Sequence, residues 1–151
     1  MSTPSERLSE LELTLPSVAR PVGSYLPALR VGDLVYVSGQ LPLTGDKLVT
    51  GLVGGPVSLE AAATAARTAC FNAIAAAADT AGGIDAITGI VRVAVFVASA
   101  DGFTEQAAVA NGASELLTEL FGDAGRHVRS AVGVALLPKN ACVEVELIAR
   151  L

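Results

Sequence analysis

Apolar and polar positions change period several times along this chain, and the changes mark its elements. Residues 28–43 read as strand: Val31-Gly32-Asp33 is a turn signal, followed by the β-branched and aromatic run Leu34-Val35-Tyr36-Val37-Ser38-Gly39. In residues 90–98, Val91, Val93, Val95 and Val97 alternate with Arg92, Ala94 and Phe96, a second strand. Between them Ser58 is placed to cap a long helix reaching about Ala81, closed by Gly82-Gly83. That helix is rich in alanine (Ala61 to Ala63, Ala65, Ala66, Ala69, Ala73, Ala75 to Ala78), which favours helix and lets it lie close on a sheet. A further helix is expected over residues 102–121, ended by Gly122. Residues 129–137 and 142–151 both alternate, and Pro138-Lys139-Asn140 between them predicts a C-terminal hairpin.

The beginning of the chain predicts a short helix over residues 1–15. Thr3 can cap it, Pro4 sits where a missing N–H costs nothing, and Leu8, Leu11 and Leu15 share one face. Residues 16–27, with Pro21 and Gly23, read as irregular, and residues 44–56 as a Gly-rich loop. No repeat or linker divides the chain. The expectation is one α+β domain over 1–151, with a helical extension at 1–15 and two helices on one face of a mostly antiparallel sheet.

Composition changes this picture in one respect. Hydrophobic residues reach 52%, charged residues 17%, and mean hydropathy is +0.56, more apolar surface than one 151-residue domain hides, so self-association is expected. No membrane partner is expected, because the apolar stretch 73–100 is broken by Asp79, Asp85 and Arg92. Glu6, Glu10 and Glu12 leave the first residues without an apolar signal core, and a cytoplasmic protein is expected. Cys70 and Cys142 are far apart without a CxxC pair and read as buried free thiols. With one histidine, His127, no protein-built metal site is expected. A net charge of −5 and scattered Lys and Arg argue against a nucleic-acid partner.

Walker loops, GxGxxG, nucleophile elbows and HExxH are all missing from the sequence, so no cofactor is expected. The most informative segment starts at Arg129. Arg129, Ala131, Gly133 and Ala135 share one strand face, joining a guanidinium to three small residues: a cleft floor with a charge at one end. Glu144 and Glu146 share a face of the next strand, where either is suited to position a water or a proton. The plainer alternative is that Arg129 makes a surface ion pair with such a Glu. Ser38-Gly39-Gln40 is either a strand-ending turn or a set of polar groups facing a ligand. Asn111-Gly112 is either a helix kink or an amide aimed into a cleft. Tyr25 is a loop anchor or a pocket wall, Asn72 a satisfied core or interface group, and His127 a solvated loop residue or an acid–base group.

Together these residues resemble the Rid (YjgF-like) family of reactive-intermediate deaminases. The resemblance is carried by Arg129-Ser130-Ala131-Val132-Gly133-Val134, Leu137-Pro138-Lys139 and Val143-Glu144-Val145-Glu146. Val37-Ser38-Gly39-Gln40-Leu41-Pro42, Gly23-Ser24-Tyr25 and Asn111 extend it upstream. It implies a chorismate-mutase-like α+β fold, a homotrimer with ligand clefts between subunits, and hydrolysis of enamine or imine intermediates such as 2-aminoacrylate. In that reading Arg129 clamps a small carboxylate or imino acid, Glu144 assists the attacking water, and Tyr25, Ser38, Gly39, Asn111 and Ala131 line the cleft. Ala131 stands where the family signature has Cys, His127-Val128 replaces Pro-Ala, and Ser24 replaces Pro. Two other readings of the same cleft are a non-catalytic carboxylate-sensing module and a ribonuclease acting in translation inhibition.

Overall fold

The computed structural model describes residues 1–21 and 23–151; Val22, within the segment expected to be irregular, lies outside them. The chain runs α1 (Pro4–Glu10), β1 (Ala28–Val31), β2 (Leu34–Gln40), β3 (Leu43–Thr44), β4 (Lys47–Leu48), α2 (Leu59–Ala81), β5 (Gly89–Ala98), α3 (Gln106–Phe121), β6 (Val128–Val134) and β7 (Val143–Arg150). Single helical turns precede β5, follow α3 and precede β7. The main sheet has the order β1-β2-β7-β5-β6, and β3-β4 forms a small separate ribbon. All pairings in the main sheet are antiparallel except β5 with β6. The expectation of an α+β fold with a mostly antiparallel sheet therefore stands, the β5-β6 pair being the parallel one.

The alternation along the strands explains the layering. Val35, Val37, Val93, Val95, Val97, Val143, Val145 and Leu147 point to one face and are buried. The long helices α2 and α3 cover that face and supply Ala66, Ala69, Ala73, Ile74, Leu116, Leu117 and Leu120 to the same core. Helix α2 begins and ends as its sequence dictates. The Ser58 hydroxyl accepts from the Ala61 amide, and Gly82 closes the helix in the left-handed conformation at φ +90°. Its alanines let α3 come very near: a Cβ placed on Gly112 would lie 1.9 Å from the Ala63 carbonyl oxygen. Helix α3 runs through Asn111-Gly112 without a break, so Gly112 marks a close helix crossing and not a kink.

Three expectations are corrected. First, β6 and β7 do not form a hairpin. Both border β5, which lies between them; Ala98 donates to the Cys142 carbonyl while Ser99 donates to that of Val134. The turn at Pro138–Asn140 exists, with Lys139 and Asn140 at positive φ, but it spans one intervening strand. β5, α3 and β6 form a strand–helix–strand crossover, the connection that parallel neighbours need. Second, α1 ends at Glu10, because the chain turns at Leu11 and Glu12 (φ +54°). Its start is as expected, with Thr3 and Glu6 forming a reciprocal capping box. Third, α3 starts at Gln106 and not near Gly102, which sits at φ +79° in a turn. Residues 44–56, expected as loop, contain part of the β3-β4 ribbon and bridges from Thr50 to Ala141 and from Val53 to Ser99.

Among the described residues no helix covers the second face of the sheet. Leu29, Tyr36, Val128 and Val132 are exposed on it, alongside Arg92, Ser130, Glu144 and Glu146. Among the described residues no helix is long and apolar enough to cross a membrane.

Candidate functional site

Arg129 lies on edge strand β6, opposite Val93 of β5, and so on the helix-covered face. Its guanidinium turns toward α3. Nη1 donates to Asn111 Oδ1 at 2.8 Å and to Ser114 Oγ at 3.1 Å, and Nη2 donates to the Ala107 carbonyl at 3.3 Å. Ala107, Asn111 and Ser114 recur at helical spacing, so one stripe of α3 holds the group at three points. All three partners are neutral. Ion pairs among the described residues are Arg67–Glu119 and Arg126–Asp123, and neither includes Arg129. The surface ion pair considered from the sequence is therefore not formed.

The donor inventory of this side chain indicates its use. A guanidinium has five N–H donors. Three are engaged by α3, which leaves Nε–H and one Nη2–H, the two donors that a bidentate carboxylate takes. Ala131, one strand period on, packs against the core, and Gly133 lies under Ser99 and Gln106, where a Cβ would meet Gln106 Nε2 at 2.9 Å. Arg129 and Asn111 are thus in direct contact, with Ala131 on the same face of β6. Ser114, the Ala107 carbonyl and the His127 ring complete the group, with His127 Nε2 2.9 Å from Ser114 Oγ. None of these three was singled out as a partner of Arg129 from sequence; only the i, i+4, i+7 spacing of 107, 111 and 114 signalled a shared stripe.

Tyr25, Ser38, Gly39 and Glu144 belong to a second group. The pairing of β2 with β7 shifts by one residue between Val37 and Gln40, a β-bulge holding Ser38 and Gly39. Ser38-Gly39-Gln40 does close β2, as expected, but through a bulge and not a turn. The Ser38 hydroxyl donates to the Leu26 carbonyl at 2.6 Å and its amide to that of Pro27, pinning the segment that carries Tyr25. Tyr25 is half exposed and walls two hollows. One is about 310 Å3, shared with Leu29, Tyr36 and Ser38; the other is about 70 Å3, shared with Gly39, Gln40 and Lys139. Asn72 is satisfied by the Leu41 and Leu43 carbonyls, the structural role considered for it.

Gly39 is glycine for a local reason: a Cβ there would lie 2.7 Å from Cδ of Glu144. The Glu144 carboxyl is therefore seated directly on the backbone of the bulge. It is half-buried, and its pKa is raised, first by loss of hydration and second by the charge of Glu146 on the same face. A carboxyl so placed holds a proton to higher pH than usual, which suits a group that gives and takes protons.

The two groups do not meet within one chain. Arg129 is on the helix-covered face of β6, while Glu144 is on the open face of β7, two strands away, roughly 10 Å across the ladder. Among the described residues no three His, Cys, Asp or Glu side chains cluster to hold a metal ion. Both cysteines are buried thiols; burial pushes the pKa of Cys70 up to about 12 and that of Cys142 to about 11.

Along nearly its whole length the chain is similar to known proteins. The family model described as "YjgF/chorismate_mutase-like, putative endoribonuclease" matches residues 5–151. Protein TCP17 of Trypanosoma cruzi is 38% identical over 146 residues, covering 95% of this chain and 91% of that one. A 2-iminobutanoate/2-iminopropanoate deaminase of Dermatophagoides farinae is 30% identical over 136 residues, 90% of this chain and 92% of its own. A crystal structure from Shewanella oneidensis MR-1, described as a "putative endoribonuclease", superposes with a TM-score of 0.95 at 35% identity, covering 99% of this chain and all of that one. With its three helices and mixed, mostly antiparallel sheet, the chain belongs to the YjgF/chorismate-mutase-like family.

Proposed function

We propose that the protein is a hydrolytic deaminase of small reactive enamines and imines, converting 2-aminoacrylate-like intermediates to a 2-keto acid and ammonia. The observation that carries this reading is Arg129: a half-buried guanidinium with no carboxylate partner among the described residues, held by α3 with two donors left over. Such a group is organised for a ligand carboxylate before the ligand arrives, which lowers the ordering cost of binding. The deaminase from Dermatophagoides farinae supports the same substrate class.

The chemistry asks little of the protein. A 2-aminoacrylate tautomerises to its imine, whose C2 is already electrophilic. Water adds to C2, its proton passes to a base, and the carbinolamine loses ammonia as the C–N bond breaks and C2 becomes a carbonyl. Arg129 holds the carboxylate and so fixes C2; Glu144 takes the proton of the water and returns it to the departing amine. Positioning supplies most of the acceleration in such a step, and Glu144 supplies the acid–base part.

Both groups would act on one substrate in a cleft between copies of the chain. In support, β6 is an edge strand, the open sheet face exposes Leu29, Tyr36, Val128 and Val132, and mean hydropathy is +0.56. A homotrimer is the expected assembly, with Arg129, Asn111 and Ala131 from one subunit facing Tyr25, Ser38, Gly39 and Glu144 from the next. Light scattering should give a mass of three 15.2 kDa chains; a stable monomer or dimer would remove this cleft.

The activity is tested by coupling the protein to a dehydratase that releases 2-aminoacrylate and following pyruvate. Faster pyruvate release than in buffer is expected. No gain with several imino acids would leave a non-catalytic carboxylate sensor. A ribonuclease, the word in the family description, is the weaker reading: the net charge is −5, and the chain's one histidine has both ring nitrogens engaged within the fold.

A further inference from the structure

His127 and Ser114 form a directional chain that ends on Arg129. His127 Nδ1 lies 2.7 Å from the Gly125 carbonyl, and Nε2 lies 2.9 Å from Ser114 Oγ. A carbonyl only accepts, so Nδ1 carries the proton. In the neutral ring Nε2 is then an acceptor, and the proton between it and Ser114 belongs to the serine. With its proton turned toward His127, the Ser114 hydroxyl presents a lone pair, and Arg129 Nη1 donates to it at 3.1 Å. Each bond thus fixes the direction of the next, from the Gly125 carbonyl through His127 and Ser114 to the guanidinium.

We infer that Ser114 and His127 are positioning residues for Arg129, holding its plane so that Nε–H and the remaining Nη2–H face a ligand carboxylate. Several features favour this over an incidental contact. Gly125 is itself fixed, because a Cβ there would lie 2.2 Å from the Leu117 carbonyl oxygen, so the far end of the chain rests on the α3 backbone. Arg129 is anchored to the same helix at Ala107 and Asn111, and these two bonds alone leave the guanidinium a hinge about its outer edge. The third bond, to Ser114, removes that freedom, and His127 decides which way Ser114 points.

The inference rests on the reading of Arg129 as a carboxylate receptor, and two readouts separate the two ideas. The first needs no ligand: side-chain nitrogen NMR of Arg129 in the full-length protein. Hindered rotation should give the parent separately resolved Nη protons. Ser114→Ala should merge them, as should His127→Asn, which keeps a donor near Gly125 but ends short of Ser114. Ser114→Thr retains the hydroxyl and His127→Gln places an amide oxygen near Nε2, so both should restore the resolved lines. The second readout is pyruvate affinity: roughly three- to tenfold weaker in Ser114→Ala and His127→Asn, the size expected for one lost hydrogen bond, with recovery in Ser114→Thr and His127→Gln. A merely structural role would lower the melting temperature without merging the Arg129 lines. Arg129 lines in Ser114→Ala and His127→Asn identical to the parent's would overturn the inference. If the lines merge as expected and no protein, parent included, binds pyruvate, the positioning role stands and the carboxylate reading falls.

Discussion

Replacing Gly112 by alanine sets two well-known effects against each other, and the structure decides between them. Inside an α-helix, Ala is favoured over Gly by about 1 kcal/mol, so local propensity alone predicts a stabilised protein. The new Cβ, however, would lie 1.9 Å from the Ala63 carbonyl oxygen, 2.7 Å from its carbonyl carbon and 3.2 Å from its Cα. All three are backbone atoms of α2, so no rotamer change relieves the clash. Carbon contacts settle near 3.5–4.0 Å, so the helices must separate by roughly 1 Å or more. Overpacking of this kind costs about 1–3 kcal/mol and sometimes more. With an obstructing backbone the upper part of that range applies, for a net loss of about 2 kcal/mol after the propensity gain. For a chain of this length that lowers the melting temperature by roughly 4–8 °C. Urea unfolding with an unchanged slope would report it cleanly. The damage should reach the site as well, because Asn111 and Ser114, which hold Arg129, flank Gly112 on the same helix. A variant as stable as the parent, or more stable by the propensity increment, would refute the close crossing of α2 and α3.

Three further outcomes follow from the site and the core. Gly39→Ala should press on the Glu144 carboxyl, the end of a side chain that can swing away, so stability should change by less than about 1 kcal/mol while deaminase turnover falls roughly tenfold or more; unchanged turnover would separate Glu144 from the chemistry. Because the folded protein raises the Glu144 pKa, the native state binds more protons than the unfolded chain between the ordinary and the raised value. The contribution of this group to stability is therefore full below the ordinary carboxylate pKa and is lost as pH rises through the raised one, and Glu144→Gln should abolish that part of the slope in pH-dependent melts. Both thiols, with pKa values pushed to about 12 and about 11, should ignore a thiol reagent at pH 8 in the folded protein and react fully once it is unfolded; rapid labelling of the native protein would contradict their burial.

The sequence made some of this legible and not the rest, for physical reasons. Helix α2 was readable at both ends because Ser58 and Gly82 act locally, through a side-chain cap and a left-handed residue. The faces of β5, β6 and β7 were readable because a strand alternates whatever lies beside it. Which strand lies beside it is a different matter. Alternation does not name a neighbour, and the short connection at Pro138–Asn140 made a hairpin the simplest choice. The order strand, helix, strand across β5, α3 and β6 carried the missing signal, since it permits a parallel pair. That misreading mattered for the site, for adjacent strands would have let Arg129 pair with a glutamate of β7, whereas Arg129 and Glu144 lie on opposite faces of the sheet. Gly112 and Gly39 were visible as glycines, but their reasons, a helix backbone and a carboxyl pressed against them, exist only in three dimensions. His127 was visible as the one histidine, and its tie to Arg129 depends on Ser114, thirteen residues away.

Arg129 itself offers the sharpest test. Lysine at this position has one ammonium, which cannot reach the Ala107, Asn111 and Ser114 acceptors and still present two parallel donors to a carboxylate. Losing charge-assisted bonds of this kind costs roughly 1.5–3 kcal/mol, or about ten- to a hundredfold in affinity. Calorimetric titration of the parent and of Arg129→Lys with pyruvate, beside a thermal melt of each, is the measurement to make. Binding by the parent that weakens ten- to a hundredfold in a variant that remains folded is the expected result; equal affinity in the two proteins would remove Arg129 from the site and the deaminase reading with it.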